Sequence, residues 1–159
     1  MRALLLSLIL CSTTAVAQDT LLTSVRKNIG EVFKTESICF SFYNAFEKVD
    51  VSASNLLVGY KGAVLLGMAR HDPNVFKKMG YFSDGKELLE KSIANDPQNI
   101  ELRFLRLTIQ THIPSFLGYN ENKEKDKAFV LANLDKAPSE VFRTKVRNFI
   151  KHAESEGKL

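Results

Sequence analysis

GKELLEKSIANDPQNIELRFLRLTIQ, residues 85–110, decides the fold. Residues 85–95 read as a helix, because Leu88, Leu89, Ser92 and Ile93 recur at three- and four-residue spacing and stack on one side. Glu87 precedes Lys91 by four residues, the spacing of an exposed helical ion pair. Pro97 ends that helix, since its ring fixes φ, its nitrogen lacks a proton, and it pushes Asp96 toward extended geometry. Asn99 then reads as the N-cap of a second helix, with Glu101 in the first turn, where a negative charge suits the dipole. The stretch is therefore a helical hairpin around an Asp-Pro-Gln-Asn turn.

The second helix, residues 100–113, carries more information than the turn. At about 100° per residue, Ile100, Leu102, Phe104, Leu105, Leu107, Ile109 and Ile113 cover most of its circumference. Arg103, Arg106 and Gln110 share the remaining polar arc. A helix apolar on so many sides is packed by neighbours on at least two of them, which places it centrally. Its polar arc needs partners. Two readings stay open: an ion-pair network with acidic residues of adjacent helices, or a concave face whose guanidinium forks receive an acidic or carboxylate-bearing partner. Under the second, replacing both arginines leaves the fold intact; under the first, it does not. These three residues are the candidate partner-binding set.

Outward from the hairpin the same helical spacing continues. Leu22, Val25, Ile29 and Val32 or Phe33 mark one helix, and Ile38, Phe42, Ala45, Phe46 and Val49 a second over residues 36–49. Residues 54–70 form a third, whose Gly59, Ala63 and Gly67 make a small-residue stripe that lets another helix approach. His71-Asp72-Pro73-Asn74 reads as a turn, residues 75–79 as a short helical turn before Gly80, and residues 81–84 as a linker. Pro114 and Gly118 bound a loop. A charged helical start follows at residues 121–127, with Phe129, Val130, Leu131 and Leu134 as its apolar part. Pro138 and Ser139 open a last helix. No segment alternates with the period of two that a strand requires. The expected fold is all-α, about seven helices in stacked antiparallel hairpins, one domain over residues 18–154, with a frayed tail at 155–159.

LLEKSIANDPQN, residues 88–99, resembles the second helix and turn of a tetratricopeptide repeat, with Leu89 and Pro97 at matching positions. Ser92 stands where that repeat carries a small Ala, the upstream helix lacks its aromatic, and residues 71–84 break the repeat length. The resemblance covers about one repeat and implies a tetratricopeptide-like stack of hairpins. More widely, RFLRLTIQ, PSFLGY and DKAFVLANL, in this order from residue 103, are similar to short exported helical proteins of Bacteroidetes type. That resemblance implies export and no particular activity.

Residues 1–17 read as a secretory leader: Arg2 is the basic start, ALLLSLIL the apolar run, and Ala15-Val16-Ala17 the cleavage site, so the mature chain begins at Gln18. The apolar run is far short of the ~20 residues that span a bilayer. Lipoprotein processing at Cys11 is the alternative, set against Leu10, where a small residue is expected. The expected location is periplasmic or secreted. Cleavage lowers the formal charge of +4 by one, too mild a balance to point to nucleic acid. Cys39 remains the one cysteine of the mature chain, among Ile38, Phe40, Phe42, Tyr43 and Phe46, and reads as a buried thiol.

Catalytic and metal spacings do not emerge. His71, His112 and His152 are scattered, with no His or Cys three or four residues away. There is no Gly-x-Ser-x-Gly elbow, and pairs such as Glu87 with Glu90 read as solvated helix faces. The last helix places Phe142, Val146, Phe149, Ile150 and Ala153 on one face, ringed by Arg143, Lys145, Arg147 and Lys151. That pattern fits a capping helix, or a basic helix lying on an anionic membrane. The expectation is a non-enzymatic exported adaptor for a protein or peptide of the cell envelope, without cofactor or metal. The alternative is a small-molecule or lipid-binding domain whose pocket is lined by the Phe-rich helix at residues 37–49.

Overall fold

The computed structural model describes residues 2–159, with side chains described from residue 15 onward. The side chains of the leader's basic start and apolar run, and Cys11, therefore lie outside the described residues. Seven α-helices follow in order: α1 (Arg2–Val32), α2 (Glu36–Lys48), α3 (Asn55–His71), α4 (Val75–Asn95), α5 (Ile100–His112), α6 (Lys123–Ala132) and α7 (Glu140–Ser155). Short 3-10 turns lie at Ser115–Leu117 and Leu134–Lys136. Among the described residues there is no strand, so the fold is all-α. None of the helices described is long and apolar enough to cross a membrane.

Length predicts one domain. The contacts instead divide into two compact units, Met1–Ser92 and Ile93–Leu159, because two helices each gather a core of their own.

In the first unit the hub is α3. Ser54 caps it by accepting from the Leu57 amide, and Leu57, Tyr60, Ala63, Val64, Leu66 and Met68 are buried. Around it lie Leu21, Val25, Ile29 and Val32 of α1, and Cys39, Phe42 and Phe46 of α2, each set at helical spacing. The Cys39 thiol donates to the Val64 carbonyl, and burial pushes it up to about 12, so it stays protonated and unreactive. His71 closes α3 with its Nε2 2.9 Å from the Val32 carbonyl oxygen.

Helix α4 is the largest departure from the sequence expectation. A short turn, a linker and a helix from Gly85 are expected; one 21-residue helix is found. Gly80 bounds the expected turn and Gly85 opens the expected helix, yet a glycine inside a helix costs only about 1 kcal/mol, which packing overrides. The packing is visible at Gly85. A Cβ built on Gly62 of α3 would lie 2.7 Å from the Gly85 carbonyl oxygen and 2.9 Å from the Leu89 nitrogen. A Cβ on Gly85 would lie 2.7 Å from the Gly62 carbonyl oxygen. The two helices thus touch backbone to backbone. Gly62, outside the Gly59–Ala63–Gly67 stripe, makes this contact, while Gly67 makes room for Val32 and Cys39. Farther along, the Asn55 side chain donates to the Ser92 carbonyl, and the Ser92 hydroxyl donates to the Asn55 carbonyl. This exchange gives the buried Ser92 hydroxyl its partner.

Gly80 has no such neighbour: a Cβ there meets nothing within 4 Å. Gly80→Ala is therefore expected to stabilise the protein by about 0.5–1 kcal/mol, since it relieves backbone entropy with no clash. A thermal melt reads this as a rise in Tm, and a fall would show that α4 does not run through this position.

In the second unit the hub is α5. Asn99 caps it by accepting from the Glu101 and Leu102 amides at 3.1 Å each, and every residue from Ile100 to Leu107 is buried. Ile100, Phe104 and Leu107 pack with Val130, Leu134, Ala137, Val146 and Ile150. Phe142 and Phe149 of α7 meet Phe104 edge-on at centroid distances of 5.5 and 5.4 Å. The apolar face of α7 is thus spent on its own core. Its end closes on a turn. Gly157 takes φ 67°, Lys158 donates to the Ala153 carbonyl, and Gly157 donates to that of Glu154, a Schellman closure. The Lys123 ammonium then donates to the Lys158 carbonyl at 2.7 Å, and Leu159 packs against the core.

Candidate functional site

The polar arc of α5 is brought together as its spacing requires, but it points inward. Arg103 and Arg106 are both buried, and each donates to Asp126 of α6, which is fully buried. The Arg106 Nε lies 2.6 Å from one carboxylate oxygen and its Nη2 2.9 Å from the other, and the Arg103 Nε donates to that second oxygen as well. The Arg103 guanidinium also sits 4.4 Å over the Phe129 ring and donates to the Pro97 carbonyl. Gln110 accepts from the Asn122 amide at 3.1 Å. The ion-pair reading of this arc accounts for both arginines. Arg103, Arg106 and Gln110 are all buried, and both arginines are engaged by Asp126, so the arc lies inside the second unit rather than on the expected concave partner-binding face; among the described residues the Gln110 Nε2 is left there without a hydrogen-bond partner.

A surface groove lies in the first unit, where sequence reading placed only the alternative pocket on residues 37–49. A groove of about 390 Å³ opens between α2, α3 and α4. Tyr43 and Glu47, one turn apart, form the α2 wall; Lys61 and Leu65, one turn apart, form the α3 wall. The α4 wall carries Tyr81, Asp84, Glu87 and Leu88. Gly62 directly follows Lys61 and Gly85 directly follows Asp84, so the groove runs beside the place where α3 and α4 touch. Tyr43 and Tyr81 meet edge-on at 5.8 Å. Burial, and then the adjoining Tyr81, push the Tyr43 hydroxyl above its ordinary range, which keeps it a neutral hydrogen-bonding group.

The charges are unevenly matched. Lys61 pairs with Glu47 at 3.0 Å. Glu87, expected to pair along α4 with Lys91, does not, and among the described residues neither it nor Asp84 holds a cation. The groove therefore carries an acidic α4 wall together with apolar and aromatic lining from Leu65, Leu88 and the two tyrosines.

The signal that would have found it is faint. Tyr81, Asp84 and Leu88 share a stripe only if α4 continues unbroken through Gly80 and Gly85. Elsewhere the histidines remain apart: His71 meets Val32, His112 bonds the Thr108 carbonyl, and His152 lies 3.5 Å from Glu156. Among the described residues no cluster of three His, Cys, Asp or Glu is placed to hold a metal. No protein-family model, curated protein or solved structure matches the chain.

Proposed function

We propose that the protein is an exported, non-enzymatic helical adaptor, built on tetratricopeptide-like hairpins, that captures a protein or peptide partner in the cell envelope through the α2–α3–α4 groove. The single observation that carries this reading is the groove itself: an exposed cleft with two tyrosines and two uncompensated carboxylates on one wall. Tyrosine supplies large contact area with a polar tip, the chemistry of polypeptide recognition surfaces. The leader at residues 1–17 supports the envelope location. The lipid-carrier reading loses support because Phe42 and Phe46, expected to line its pocket, are buried in the core of the first unit.

Photo-crosslinking in the source cell tests the adaptor reading. A photoreactive residue at Ser83, exposed beside Asp84, should give a discrete adduct with an envelope protein, and one at Val141 of α7 should not. Equal labelling from both positions, or none from Ser83, sinks the groove as the docking place. N-terminal sequencing of the same mature protein should begin at Gln18, and retention of the leader would remove the export part.

A further inference from the structure

We infer that the groove receives a single cationic side chain, lysine or arginine, projecting from the partner polypeptide. This rests on the adaptor reading and names the chemistry of what is bound. The first ground is charge. Lys61 and Glu47 neutralise each other across the α2–α3 side, which leaves Asp84 and Glu87, one helical turn apart on α4, to set the sign of the cleft. The second is shape. Leu65, Leu88 and the two tyrosine rings supply apolar lining on all three walls, beside the two carboxylates of α4. Lysine and arginine match that division, since their methylene stems cover apolar surface while the charged tip stays with polar partners. A small hydrated cation would leave the apolar lining uncovered, and an anion would meet Asp84 and Glu87. The Tyr43–Tyr81 pair adds hydroxyl oxygens that accept from an ammonium or guanidinium.

The test is a titration of the ¹⁵N-labelled protein with blocked Gly-Arg-Gly and Gly-Lys-Gly peptides, followed by amide shifts. Citrulline and norleucine peptides serve as uncharged counterparts. The expected result is a shift pattern confined to α2, α3 and α4 around Tyr43, Lys61 and Asp84. Affinity should fall by about two- to fivefold with the uncharged peptides, the scale of one exposed charge contact, and should weaken with added salt. Asp84→Asn with Glu87→Gln, both on exposed positions, should erase the preference while leaving the melting curve unchanged. Equal binding of charged and uncharged peptides, or shifts elsewhere, would overturn the inference. So would spermidine binding the groove more tightly than the peptides, since the site would then serve free amines. If the doubly substituted protein still yields the Ser83 adduct while the peptide titrations fail, the adaptor reading stands and only the cationic side chain is lost.

Discussion

Asp126→Ala is expected to cost about 3–5 kcal/mol of folding stability, because it strands two guanidiniums in the core of the second unit. Arg103 and Arg106 are almost fully buried, and Asp126 is the carboxylate between them. A buried charge without its counter-ion loses its hydration and gains nothing in return. Domains of this size hold only about 5–15 kcal/mol in total, so chemical denaturation of the variant should show a large drop in midpoint or no cooperative transition. Replacing Arg103 and Arg106 together by alanine should be damaging for the mirror reason, since it isolates Asp126. Replacing all three with apolar residues of similar volume should recover much of the loss, because desolvation is then avoided altogether. A wild-type midpoint retained in Asp126→Ala would show that the triad is open to water. Salt provides a second check: the effect should persist at 1 M, since buried pairs are weakly screened.

The second large effect is expected at the α3–α4 contact. Gly62→Ala should destabilise by about 1–3 kcal/mol, even though alanine is the better helix former. The added methyl would meet the Gly85 carbonyl oxygen and the Leu89 nitrogen, both backbone atoms that no rotamer change can move. Gly85→Ala meets backbone of Gly62 and Leu66, and should cost a similar amount. Combining the two should cost less than their sum, because the first methyl already forces the helices apart. A thermal melt of the three variants decides this; a rise in Tm for Gly62→Ala would mean the helices are not in backbone contact. The opposite sign expected at Gly80, with the same substitution on the same helix, separates packing from propensity.

Local signals carried far in this chain, and non-local ones did not. Asn99, Pro97 and Ser139 set helix starts and stops by bonds to their immediate neighbours, so the boundaries of α5 and α7 were legible within a residue or so. The burial of α5 was legible too, because its apolar residues leave so little polar arc. The partner of Arg103 and Arg106 was not. Asp126 sits in KEKDK, a run that reads as a solvated start of a helix. The spacing to Phe129 and Val130, three and four residues on, puts it on the buried face. That signal is real but small, and five charged residues in a row hide it. The groove failed for a different reason. Gly80 and Gly85 look alike in sequence, and only the chain folded against Gly62 shows that one is a tolerated cost and the other a packing requirement.

The glycine contact also bears on the thermodynamics of binding. Helices that meet through side chains can slide by changing rotamers, whereas helices that meet through backbone have no such freedom. Helix α3 is fixed to α4 through backbone at Gly62, while at Gly67 it meets the side chains of Val32 and Cys39, so the α3 and α4 walls of the groove are held as one unit. A partner entering it has no lid to close and little chain to order. The conformational entropy lost on capture should then fall on the incoming segment alone, and association should proceed at an encounter rate set by electrostatics rather than by a gating motion.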